Sequence, residues 1–197
     1  MLNTRYYPDF DLPIALDAGA AGVDLFFVIS GYIMALVTFE AASGKSPAFL
    51  FLFDRIFRIF PLYWLYLGLV VLIFLIRPEL VNSSYANQPS LFRSFFLIPD
   101  ISTPWLNVGW TLIYEVYFYF LVSVLLLFKL KLRNLFLFVF AVFLIVYNYY
   151  FNLDTNADNP FEAYYLSPLV CEFIFGYALF FIRYKPSKIL SLFSSIF

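Results

Sequence analysis

Five stretches of this chain, 23–39, 59–76, 109–128, 135–151 and 164–182, come close to the roughly 20 apolar residues that an α-helix needs to cross a bilayer. A sixth, 189–197, begins in the same way and ends with the chain. In hydrocarbon each backbone N–H and C=O must find its partner within the protein, so runs of this kind fold as helices. The composition agrees: 63% of the 197 residues are hydrophobic and 13% are charged, too few to coat a soluble globule. The sequence therefore predicts an all-α, polytopic membrane helical bundle of about five complete spans plus the start of a sixth. No internal repeat or Gly/Ser linker divides it, so residues 1–197 read as a single membrane domain. The opening stretch MLNTRYYPDFDLPIALDAGAA is acidic and lacks an apolar core, and does not read as a signal peptide.

Several functions are excluded by residue type. The chain has no histidine, which removes a Ser-His-Asp triad, a histidine base and a Cys/His zinc site from within it. A single cysteine, Cys171, rules out an internal disulfide framework. A net charge of −1 argues against nucleic acid as a partner, and the bilayer is the first partner expected. No metal site and no bound cofactor are expected.

The loop charges give an orientation. Lys and Arg number three in 40–58, two in 77–108, three in 129–134, none in 152–163 and three after the fifth span. By the positive-inside rule, 40–58 and 129–134 are cytoplasmic and the N-terminus is outside. Such an N-terminus, with no signal before it, would be natural if one more helix preceded Met1.

Charges inside spans are costly and usually face the bundle interior. Asp24 sits at the outer end of the first span, Glu115 about two turns into the third, and Glu172 near the middle of the fifth. Each also has a structural reading: an interfacial residue at a helix start for Asp24, interhelical hydrogen bonds or ion pairs for the two glutamates. On the cytoplasmic side, FDRIFRIFPLYW puts Arg55 and Arg58 on nearly one face if the segment is helical, with Pro61 near a helix start or kink. Paired guanidiniums suit a phosphate-bearing ligand, and equally suit topology-setting contacts with lipid headgroups. Trp64, Trp105 and Trp110 lie where interfacial belts form. Ser30-Gly31 reads as a close helix–helix contact, and Pro168 as a bend in the fifth span. These residues fit an enzyme and a transporter alike.

Four motifs in order resemble one family. GVDLFFVISGYIM (22–34), RIFRIFPLYW (55–64), VGWTLIYEVYFY (108–119) and SPLVCEFIFG (167–176) resemble the acyltransferase-3 family of integral-membrane O-acyltransferases, nearest the succinoglycan-type exopolysaccharide branch. The resemblance implies transfer of an acyl group, commonly acetyl from cytoplasmic acetyl-CoA, to a hydroxyl of a cell-surface glycan or lipid-linked sugar. It implies donor binding by Arg55 and Arg58, and an acceptor-side or bundle-locking place for Asp24, Trp110, Glu115 and Glu172. The family's first helix carries an arginine and the histidine thought to act as base. This chain starts after that helix and stops before the family's later spans, so it reads as truncated at both ends. Without the histidine, Glu115 is the base candidate, since burial of a carboxyl can fit it for that role. The resemblance further implies a multi-pass protein of the bacterial inner membrane, with a second chain as one way to supply the missing helices. The alternatives are a transporter or flippase-like bundle, with Glu115 and Glu172 as coupling acids, and a non-catalytic membrane subunit.

Overall fold

The structure, a computed structural model, describes residues 13–80, 90–100, 102–151 and 159–183. Among these residues the chain is helical, with no strand. Seven α-helices follow one another: α1 (Pro13–Thr38), α2 (Lys45–Ile76), α3 (Leu91–Phe95), α4 (Gly109–Leu125), α5 (Leu130–Phe151), α6 (Pro160–Tyr165) and α7 (Pro168–Arg183). One 3-10 turn, Pro78–Leu80, follows α2. The apolar run 189–197, the N-terminal residues 1–12 and the acids Asp154 and Asp158 lie outside the described residues.

Among the described residues, four stretches are long and apolar enough to cross a membrane: Ala21–Thr38, Lys45–Ile76, Leu130–Tyr150 and Pro160–Ile182. The helix Gly109–Leu125 is shorter, 17 residues, or about 26 Å at the α-helical rise. A tight turn extends it, with the amides of Leu127 and Phe128 donating to the carbonyls of Val124 and Leu125. The 109–128 run is therefore a short helix plus a closing turn.

Several boundaries differ from the sequence reading. α1 begins at Pro13, so Asp24 lies well inside a helix and not at its start, and α5 begins at Leu130, ahead of the 135–151 run. The helix that carries the 59–76 span begins at Lys45, so Pro61 sits inside α2 and not near its start. A proline gives up one i→i−4 bond, and the apolar surroundings favour continuing the helix over exposing further backbone. The start is fixed instead at Gly44, whose φ of 140° belongs to glycine. Its N–H donates to the Leu126 carbonyl at 2.9 Å, tying the α1–α2 connection to the end of α4. The 164–182 span is broken into α6 and α7. Asn159 caps α6 by accepting from the Phe161 amide, and Ser167 accepts from the Leu169 amide at the start of α7. At the break, the Leu166 carbonyl is taken up by the Asn148 amide group of α5 at 2.8 Å.

The main core lies where α1, α4, α5 and α7 meet, around the fully buried Phe27, Phe118, Leu126, Leu144, Phe173 and Phe180. α1 and α7 approach so closely that a Cβ on Gly31 would overlap the Phe173 carbonyl, and one on Gly176 the Val28 carbonyl. This is the small-residue contact expected at Ser30-Gly31, with Gly176 as its partner. A second core, Phe60, Tyr63, Leu67, Leu97 and Ile113, joins α2 to α4 beneath the connection that carries α3. There Trp64 stacks on Phe95 and donates to its carbonyl at 3.0 Å. Many large side chains that face outward are apolar, Leu25, Phe57, Leu75, Phe138 and Ile145 among them, as a lipid-facing surface requires.

Candidate functional site

α1, α2 and α4 enclose a half-open cavity of about 640 Å³. α2 contributes Arg55, Arg58, Ile59, Leu62, Tyr63 and Tyr66; α4 contributes Leu112, Glu115 and Tyr119; α1 contributes Phe26, Ile29, Ser30, Ile33 and Met34. Helical spacing explains the grouping. Arg55 and Arg58 are three apart and Glu115 and Tyr119 four apart, so each pair shares one face of its helix. The two helices are held in register by the Ser123 hydroxyl of α4, which donates to the Ala48 carbonyl of α2 at 2.9 Å.

The cavity is apolar along its length and polar at one end. Leu106 and Val108, from the connection into α4, line it together with Leu112 and Tyr66. At the polar end the Tyr119 hydroxyl donates to Glu115 Oε1. The Arg55 guanidinium lies over two rings, 5.5 Å from the Phe51 centroid and 5.9 Å from that of Tyr119. Arg55 is half-buried, Arg58 exposed and Glu115 half-buried. Both arginines act electrostatically on the Glu115 carboxylate. Yet the ion pair found among the described residues is Arg93–Asp100, far along the chain from either arginine. A second chamber of about 150 Å³, lined by Thr38, Ala41, Pro47, Phe51, Asp54 and Leu126 among others, lies on the other side of Arg55, which borders both.

Of the residues singled out in the sequence, the structure brings Arg55, Arg58 and Glu115 together. Asp24 and Glu172 form a separate acidic pair across the α1–α7 contact. Asp24 is exposed, and Glu172 Oε2 is buried with no hydrogen-bond partner among the described residues. Trp110 stands on the first turn of α4, edge-on to Tyr114 and packed against the main core. None of these three lines the cavity.

Sequence reasoning missed two residues. Tyr119 sits in an aromatic run, EVYFY, that resembles any lipid-facing stretch; its position four after Glu115 was the available signal. Arg133 was counted as a loop charge, but it lies in α5 and is only 3% exposed. Its Nη1 donates to the Thr38 carbonyl, at the end of α1, at 3.1 Å. Among the described residues, no group of three or more His, Cys, Asp or Glu could hold a metal.

A family model described as an acyltransferase domain matches residues 2–197. The exopolysaccharide production protein ExoZ of Rhizobium meliloti (strain 1021) is 40% identical over 105 residues, 51% of this chain and 32% of that protein. The match thus spans about a third of that relative's length. No solved structure shows a significant match.

Proposed function

This chain belongs to the acyltransferase-3 family of multi-pass membrane proteins, and from that premise we propose that it takes part in O-acyl transfer to a cell-surface glycan. The donor in this reading is a cytoplasmic acyl-CoA carrying acetyl. The acceptor is a sugar hydroxyl of an exopolysaccharide or of its lipid-linked precursor. The observation that carries the reading is the meeting of Arg55, Arg58 and Glu115 on one cavity, with neither guanidinium engaged in an ion pair among the described residues.

The residues divide the work by charge. Arg55 and Arg58 hold the donor's phosphates, for which paired guanidinium donors are well shaped. Their place near the α1–α2 connection is cytoplasmic if the Lys and Arg of 40–58 face inward. The acceptor hydroxyl approaches from the Leu106–Val108 end. Its oxygen attacks the thioester carbonyl carbon while its proton passes to the Glu115 carboxylate. The C–S bond then breaks, and the leaving thiolate takes the proton back from Glu115. Within this chain, Glu115 is the carboxylate that the larger cavity offers for that transfer.

The test is transfer of radiolabelled acetyl from acetyl-CoA to glycan in membranes bearing the chain. Glu115→Gln is expected to lower the rate by at least about 100-fold, the contribution of a positioned base. The Arg55→Ala/Arg58→Ala double variant is expected to raise the KM for acetyl-CoA. Unchanged transfer in Glu115→Gln removes Glu115 as the base, and unchanged KM in the double variant removes the arginines from donor binding.

A further inference from the structure

Opposite charges that share a half-buried cavity attract more strongly than they would in water, and the expected resting arrangement is a closed ion pair. Here Glu115, Arg55 and Arg58 line one cavity, and no such pair forms. Tyr119 touches both Glu115 and Arg55. Its hydroxyl donates to Glu115 Oε1, which holds the carboxylate against α4. Its ring, with Phe51 set at 87° to it, makes an aromatic corner under the Arg55 guanidinium. The corner satisfies the cation by its ring faces, and the guanidinium N–H donors have no hydrogen-bond partner among the described residues. Tyr119 is itself only 3% exposed and packed in the main core, so its place is fixed by the fold.

We propose that Tyr119 is a positioning residue that keeps Glu115 apart from Arg55 and Arg58, leaving the arginines open to an anionic, phosphate-bearing donor. The inference rests on the donor reading above and adds to it the way the site is kept poised. Without the Tyr119 hydroxyl, the Glu115 side chain is free to turn onto the guanidiniums and compete with the donor's phosphates. The ring contacts with Arg55 remain in Tyr119→Phe, so the change isolates the hydroxyl.

The experiment is titration of coenzyme A into the full chain in detergent, with size-exclusion profiles confirming that each variant is folded. Tyr119→Phe is expected to weaken binding about tenfold, the scale of one charge-assisted hydrogen bond. Glu115→Asp, whose carboxylate is one methylene short of the Tyr119 hydroxyl, is expected to weaken binding in the same direction with Tyr119 intact. Adding Glu115→Gln to Tyr119→Phe removes the competing charge. It is expected to return affinity to within about twofold of Glu115→Gln alone, a coupling that a purely structural tyrosine would not show. If Tyr119→Phe binds like the wild type, or if Glu115→Gln fails to rescue it, the proposal is overturned while the donor reading stands. If the wild-type chain does not bind coenzyme A, the donor reading falls and this proposal falls with it.

Discussion

Arg133 holds a full charge at 3% exposure, and what stabilises it is the end of another helix. Its Nη1 reaches the Thr38 carbonyl at the C-terminus of α1, where the helix dipole is negative. Thr38 is buried too; its hydroxyl donates to the Met34 carbonyl and its side chain also meets Tyr177 of α7. Arg133→Ala is therefore expected to destabilise the bundle by about 2 kcal/mol, the range of a hydrogen bond to a charged group. Thermal unfolding in detergent would show it as a lower midpoint, with coenzyme A affinity of the folded protein unchanged. An unaltered midpoint would mean that the Nε left without a partner already offsets the cap. Arg55 and Arg58 were legible in the sequence because two cations three apart beside a span are rare and chemically pointed. Arg133 was not. A charge near a span end reads as a topology signal, and only the packing of α5 against its neighbours reveals its burial.

At the scale of the helix, the α1–α7 contact depends on two glycines, one from each element. Gly31→Val or Gly176→Val would drive a side chain into a facing carbonyl and push the helices apart, costing about 3 kcal/mol or more. The expected result is loss of the monodisperse peak on detergent size-exclusion. Gly68→Ala is the internal control: beyond its own helix backbone nothing lies within 4 Å of its added Cβ, so the α2 helix is expected to gain up to about 1 kcal/mol. A tolerated Gly176→Val would show that α1 and α7 pack less closely. Ser30-Gly31 announced this contact in the sequence, because small residues in an apolar run have few other uses. The start of α2 was hidden, since Pro61 beside two arginines imitates a helix boundary. The break between α6 and α7 was half visible: Pro168 marked it, but Asn148 on another helix is what satisfies the freed Leu166 carbonyl.

Across the whole molecule, the cavity is a property of assembly. Its lining comes from α1, α2, α4 and the connection into α4, and no periodicity in any one of them announces it. Loop charges assigned Arg55 and Arg58 to the inner side and Glu115 to the outer half of its span. The register fixed by Ser123 on Ala48 nevertheless brings them to one chamber. The outward apolar surface was legible from composition alone, because a chain with so few charges has nothing else to present to its surroundings. In the proposed function, Arg55 and Arg58 form an anion site for the acyl donor. Its most direct test is the dissociation constant of coenzyme A for the wild-type chain and for Arg55→Ala/Arg58→Ala, each at low and high salt. The double variant is expected to bind at least about 100-fold more weakly, from the loss of two charge-assisted contacts, with a much flatter salt dependence. Equal affinity in the two proteins, or equal salt dependence, would contradict it.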